Sequence, residues 1–250
     1  MYIGSLAFFF IFGTTLGSFL NVVGIRLPQK KTFTKGRSEC PACFATLKSY
    51  ELIPIVSYLM QKGRCRYCST SISQQYIWLE TATGLLFALC FYQIGWQYEL
   101  ITALLFVSML LVIFVTDILY MTIPNNILLF FLPLFIILRV FNPLTPWYDP
   151  ILGAVVGFGL PFLIILCNKG GMGAGDMKLL AVIGVVIGTG NTLLALFIAS
   201  LIGSIVGMIY LYRRGGSRKQ PIPFGPFIVT AAMVCYFYGS AMLELYSQLF

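Results

Sequence analysis

The sequence predicts an all-α polytopic membrane protein, with about eight transmembrane helices and a small cytoplasmic zinc-ribbon-like domain between the first two. Three observations carry this prediction. Of 250 residues, 59% are hydrophobic and 10% charged, with a mean hydropathy of +0.91, whereas a water-soluble domain carries about 25% charged residues. The apolar residues fall into runs long enough to cross a bilayer. The one sizeable polar stretch, residues 27–77, contains two Cys-x-x-Cys pairs.

A span needs roughly 20 apolar residues. By that measure spans lie near 3–25, 78–95, 100–118, 123–141, 150–168, 177–189, 191–212 and 224–246. The sixth is short, and so is tilted, broken or continuous with its neighbour. The first run is too long for a secretory signal and lacks a basic start and a small-residue cleavage site, so it reads as a span. The glycines at 153–159 and 203–207 stand at small-x-x-x-small spacing, which close helix packing explains. The 16 Lys and Arg residues cluster at the ends of the runs. Cytoplasmic loops collect Lys and Arg, so the N-terminus is expected outside. That orientation puts Arg26, Lys30, Lys31, Lys35, Arg37, Lys48, Lys62, Arg64, Arg66, Lys169, Lys178, Arg213, Arg214, Arg218 and Lys219 inside, and only Arg139 outside. These charges serve topology and attraction to anionic headgroups; no nucleic-acid partner is expected.

Within the polar stretch, Cys40-Pro41-Ala42-Cys43 and Cys65-Arg66-Tyr67-Cys68 are separated by 21 residues, a zinc-ribbon spacing. Each pair can present two thiolates to one tetrahedral ion, and a closed four-cysteine site is structural. The alternatives are disulfides or a redox couple. A cytoplasmic loop keeps its thiols reduced, and a domain this small needs a metal or another staple. Cys90, Cys167 and Cys235 fall inside spans without partners at ligand spacing and read as small apolar packing residues.

Histidine is absent, which excludes Ser-His-Asp and Cys-His nucleophilic pairs, the His-Glu-x-x-His metalloprotease helix and any imidazole-ligated zinc. Only three aspartates are present. Asp117 closes the third span in Val115-Thr116-Asp117-Ile118, ahead of Ile123-Pro124-Asn125. Asp176 opens the sixth in Gly173-Ala174-Gly175-Asp176-Met177-Lys178. Two crossings separate them, so both carboxylates stand at the same membrane face. Asp149 stands at the other and reads as a cap for the fifth span.

An ionisable residue in an apolar helix is a functional candidate by default; the bland alternatives are a helix cap for Asp176 and a headgroup-facing residue for Asp117. Glycines beside Asp176 let backbone approach backbone or ligand closely. Carboxylates that converge to about 4 Å repel by roughly 4 kcal/mol at an effective dielectric near 20. They would share a proton, one acting as general base on water and the other polarising a peptide carbonyl, as in aspartic proteases. Asn21 and Lys178 are further polar positions able to orient substrate or tune the acid pair; helix–helix hydrogen bonding and snorkelling are their structural alternatives.

These motifs resemble the type IV prepilin peptidases, also called prepilin leader peptidases, of the Gly-x-Gly-Asp membrane aspartyl proteases. The resemblance runs over almost the whole chain. It begins with Gly17-Ser18-Phe19-Leu20-Asn21-Val22 and Arg26-Leu27-Pro28, continues through the cysteine pairs and Leu52-Ile53-Pro54, and ends with the two aspartate motifs. It implies an endopeptidase of the bacterial cytoplasmic membrane that removes the short basic leader from prepilins or pseudopilins on the cytoplasmic side. Asp117 and Asp176 would be its catalytic pair, supported by Gly173, Gly175 and Lys178. The implied organisation is a first helix at 1–26, a four-cysteine zinc domain at 27–77 and a peptidase core at 78–250. The resemblance also implies N-methylation of the new N-terminal residue with S-adenosylmethionine, an activity associated with the four-cysteine loop. There a Gly-Lys pair before the third cysteine is linked to methyl transfer. This chain has Gly63-Arg64, which keeps the charge but changes the donor geometry. Spacing and loop charge resemble the branch serving competence pseudopili, and the implied partners are prepilin-like substrates and membrane lipid.

The rival readings are a transporter or membrane scaffold with a zinc-ribbon interaction module, and a methyltransferase with an inactive protease half. Transporters often carry internal repeats and midplane sites, and this chain presents neither.

Overall fold

The computed structural model describes residues 2–30, 39–40, 42–167, 172–214 and 223–248. Lys31, Lys35, Arg37, Lys169, Arg218 and Lys219, expected at the cytoplasmic side, lie outside these residues, as does the side chain of Arg214. The described helices are α1 (Tyr2–Arg26), α2 (Val56–Met60), α3 (Gln75–Ile94), α4 (Glu99–Tyr120), α5 (Asn125–Phe141), α6 (Asp149–Cys167), α7 (Ala174–Arg214) and α8 (Gly225–Gln248). A 3-10 turn covers Ser49–Leu52. Six of the helices are long and apolar enough to cross a membrane; α5, at 17 residues, is a shorter apolar helix. The chain forms two compact units, Met1–Val112 and Ile113–Phe250.

In the first unit α1 and α3 run antiparallel. Tyr2 and Phe9 stack near Phe91 at one end, with ring centroids 5.6 and 4.8 Å apart, and Phe12 meets Phe87 further along. Small residues let the backbones close up below the aromatics. A Cβ on Gly13 would strike the Thr83 carbonyl and Gly84, and one on Gly17 would strike the Thr83 side chain. Asn21, on the same buried face, has an amide with no hydrogen-bond partner among the described residues. The helix–helix hydrogen bond open to it in the sequence is therefore not made. The four-cysteine domain is joined to this pair by Glu80 of α3, whose carboxylate accepts the Ile55 N–H at 2.8 Å and holds that β-branched residue at φ 62° at the start of α2.

In the second unit α7 is two helices, broken at Gly188 (φ 77°, ψ 178°). The contacts on either side give the direction of the arms. Gly153 and Gly157 of α6 pack against Gly184 and Leu180 of the first arm, so these run antiparallel. In the second arm Gly190 meets Leu243 of α8, and Gly203 meets Phe224, just ahead of α8, and Phe227 within it, again antiparallel. Because Gly225 touches Asp117, the α8 start belongs to the aspartate end, and the chain therefore turns back on itself at Gly188. The short sixth span is thus one arm of a hairpin. It is Gly153 and Gly157 that approach backbone, whereas Gly159 faces open space, so the 153–159 glycine run divides between two roles.

A break inside a membrane helix exposes backbone groups that lipid cannot satisfy. Side chains supply partners for them here. Arg139 of α5 donates from Nε to the Val186 carbonyl at 3.1 Å, Asn191 donates to the Ile187 carbonyl at 3.1 Å, and Asp149 accepts the Thr189 N–H at 3.1 Å. Asp149 was expected to cap its own helix. Instead it caps the second arm of α7, because the turn at Gly188 presents the N–H of Thr189 to it. Cys90 and Cys235 are fully buried as expected of packing residues, but Cys167, at the end of α6, is exposed.

Candidate active site and metal centre

Asp117 lies in the last turn of α4, which ends where Met121 adopts φ 51°. Asp176 lies in the first turn of α7. Their relative exposures are 5% and 7%, and the two carboxylates lie within reach of each other's charge. Each is anchored the same way. Asp117 Oδ2 accepts the Gly225 N–H at 2.9 Å, and Asp176 Oδ2 accepts the Gly173 N–H at 3.1 Å. Each therefore has one oxygen fixed by a glycine at a helix start and the other without a hydrogen bond among the described residues. With one carboxyl ionised and the other protonated, such a pair offers an acceptor for water and a donor toward a carbonyl.

Asp176 does act as a cap, since it reaches back three residues to the Gly173 N–H, but one oxygen suffices for that. Gly175 packs against Ile123, whose Cβ would stand 3.0 Å from any Cβ placed there. The glycine thus brings α7 against the segment that follows Asp117. Lys178 is exposed and donates to Asn125 Oδ1 at 3.1 Å, tying α7 to the first residue of α5. Gly225 was not singled out by the sequence reading. Its signal is Pro223-Phe224-Gly225-Pro226, a glycine at a helix start followed by proline in the first turn; a Cβ there would stand 2.5 Å from Asp117 Oδ2.

The four sulfurs of Cys40, Cys43, Cys65 and Cys68 all lie within 4.8 Å of one another. The Cys40 and Cys68 sulfurs are 3.7 Å apart, close to the roughly 3.8 Å edge of a tetrahedron with metal–sulfur bonds of about 2.3 Å. The two pairs are built alike. The N–H groups of Cys40 and Cys65 donate to the Ala45 and Thr70 carbonyls, and the N–H groups of Phe44 and Ser69 donate back to the Cys40 and Cys65 carbonyls. Phe44 and Ser69 each take φ 58°. The Thr70 side chain and backbone bring Cys68 down to about 6, and backbone groups of Cys43 and Ala42 lower Cys40. Cys43 is drawn down by the Ala45 backbone, but burial and the neighbouring thiols push it up to about 11. Cys68 thus favours the thiolate before any cation arrives, and the donor set fits a tetrahedral divalent ion.

Gly63 takes φ 65°, with Tyr58 Oη 2.8 Å from where its Cβ would stand. Arg64 is exposed and pairs through its backbone with Ser71.

Residues 11–94 match the Bacterial Peptidase A24 N-terminal domain, and residues 104–208 match the Type IV leader peptidase family. A prepilin leader peptidase/N-methyltransferase of Bacillus subtilis (strain 168) is 41% identical over 98% of both chains. Proteins of the same description from Stutzerimonas stutzeri and Pseudomonas aeruginosa are 30% and 31% identical, each over 95% of this chain and 92% of the relative. No solved structure matches significantly. With both matched regions in order and near-complete coverage of its relatives, this chain belongs to the type IV leader peptidase family.

Proposed function

We propose that this chain is a prepilin leader peptidase and N-methyltransferase of the bacterial cytoplasmic membrane, with Asp117 and Asp176 as its catalytic pair. The observation that carries the peptidase reading is the pair of buried carboxylates, each held through one oxygen by a glycine N–H and open at the other. The ionised carboxyl takes a proton from water as its oxygen attacks the carbonyl carbon that ends the leader. The protonated one donates to the carbonyl oxygen. Collapse returns a proton to the departing nitrogen, leaving a carboxylate on the leader and a free amine on the mature chain.

Cys40, Cys43, Cys65 and Cys68 would hold zinc and staple the 27–77 domain around it, at tetrahedral spacing and with no histidine in the chain. S-adenosylmethionine, when bound, would supply an electrophilic methyl group for the new N-terminal amine. The N-terminus lies outside and both aspartates at the cytoplasmic face, an orientation supported by the Lys and Arg distribution. A reporter inserted in the 142–148 loop should read outside, and an inside reading would reverse the orientation.

The deciding experiment is the intact mass of a prepilin-like substrate co-expressed with the native chain, Asp117→Asn or Asp176→Asn. The native chain should remove the leader and add one methyl group, and each Asn variant should leave the substrate uncut. Leader removal by either variant would remove the aspartates from the mechanism.

A further inference from the structure

The short helix α2 is turned inside out for a domain surrounded by water. Successive helical residues lie about 100° apart, so Val56, Leu59 and Met60 share one face and Ser57, Tyr58 and Gln61 the other. The polar face is the inner one. Ser57, Tyr58 and Gln61 line the cavity between the four-cysteine domain and the ends of α1 and α3, and the Tyr58 hydroxyl sits against Gly63. The apolar face is the outer one. Leu59 is 61% and Met60 80% exposed, Val56 and the preceding Ile53 are exposed with them, and no residue of α2 is buried. A helix on a water-facing surface does the reverse, with its apolar stripe toward the core.

We propose that Ile53, Val56, Leu59 and Met60 are seated in the membrane interface, where the cations around them meet anionic lipid headgroups. The inference needs only that α1 and α3 span the membrane, and it is independent of the catalytic reading.

Glu80 sets the depth. Its carboxylate accepts the Ile55 N–H at 2.8 Å and so ties the start of α2 to α3. With 20 residues, α3 is about 30 Å long, the thickness of the hydrocarbon in a typical bilayer. Its ends therefore stand at the boundary, and Glu80 is about 8 Å from the first of them. Trp78, 71% exposed in the first turn of α3, marks the same level, because tryptophan concentrates at the membrane–water interface. An interfacial helix sinks its apolar face by roughly 5–10 Å, and that is the depth at which Glu80 holds α2.

The charges agree. Among the described charged residues from 39 to 77, Lys48, Lys62, Arg64 and Arg66 are exposed against Glu39 alone, and Glu51 is buried. Arg66 is engaged with Tyr50, whereas Lys48 and Lys62 stand on either side of the apolar segment. Cations at this level attract anionic headgroups. A second copy of the chain or a substrate segment covers an apolar face equally well at any distance from the bilayer. The bond from Glu80 and the surrounding cations favour lipid.

The test uses the full-length protein, one chain per nanodisc of phosphatidylethanolamine and phosphatidylglycerol. A trace phospholipid carries a diazirine near the top of one acyl chain. After irradiation and peptide mapping, label on residues 53–60 is expected within about threefold of that on Trp78, and adding a prepilin-like substrate should leave it in place. Label on 53–60 below about a tenth of that on Trp78, or its loss when substrate is added, would overturn the seat. The Leu59→Glu, Met60→Glu double variant changes only exposed side chains. It should lose at least about fivefold of the label on 53–60 while keeping that on Trp78; an undiminished label would mean that these side chains do not face lipid. Exchanging phosphatidylglycerol for phosphatidylcholine should lower the native label by about twofold or more, and an unchanged yield would overturn anionic headgroups as the partner.

Discussion

Asp117 and Asp176 each depend on a glycine that supplies an N–H and no side chain, and the two glycines differ in how much room they leave. At Gly225 an added Cβ would stand 2.5 Å from Asp117 Oδ2 and 2.9 Å from its Cγ, so the carboxyl has to move by a large fraction of an ångström. Misplacement on that scale costs about 10²-fold in rate. Gly225→Ala is therefore expected to lower kcat for leader cleavage by about that factor with KM little changed, measured on a purified prepilin; a native rate would mean that Asp117 is not positioned from this side. At Gly173 the corresponding distance to Asp176 Oδ2 is 3.1 Å. A shift of a few tenths of an ångström relieves it, and Gly173→Ala should cost less than about tenfold. The Asp176 side of this arrangement is legible in the sequence, since the glycines stand next to the aspartate. Gly225 is 108 residues from Asp117, and only folding brings them together.

The hairpin in α7 concentrates polar side chains where the apolar pattern gives least warning. Its first arm, from residue 174 to residue 187, rises about 21 Å, short of the roughly 30 Å of hydrocarbon in a typical bilayer. The ends of that arm must therefore be satisfied by protein. Arg139 and Asp149, the one cation and the one aspartate expected outside, meet at this break with Asn191. Asp149→Ala removes the acceptor of the Thr189 N–H and should destabilise the second unit by about 1 kcal/mol. Arg139→Met leaves the Val186 carbonyl without its guanidinium and should cost about 1–3 kcal/mol. Gly188→Ala combines a positive-φ, extended-ψ conformation essentially restricted to glycine, which costs about 1–3 kcal/mol, with a collision against the Asp149 carboxylate. It should be the most damaging of the three in thermal unfolding followed in nanodiscs. Equal melting temperatures for all three variants and the native chain would mean that the turn is not held by these residues.

Across the whole molecule, the two candidate sites fall in separate compact units: the acid pair in Ile113–Phe250, and the four-cysteine cluster in Met1–Val112. Metal analysis should give about one zinc per chain. Removing it, by chelation or by Cys65→Ser, should open the four-cysteine domain to proteolysis, because the four thiolates lose the ion that holds the two pairs together, while leader cleavage should persist. Equal loss of both activities on metal removal would show that the units do not act independently. The sequence by itself determined the membrane class, the helical segments, the four-cysteine set and the candidate aspartates, because each is written in local composition or short spacing: apolar runs of bilayer length, paired Cys-x-x-Cys, carboxylates at span ends. Only the tertiary structure decided that Gly225 anchors Asp117, that Asp149 and Arg139 secure a helix break, and that Asn21 and one carboxylate oxygen of Glu51 are buried with no hydrogen-bond partner among the described residues. Those are contacts between residues far apart in the chain, and a backbone group or buried oxygen gains or loses its partner only when packing brings distant segments together.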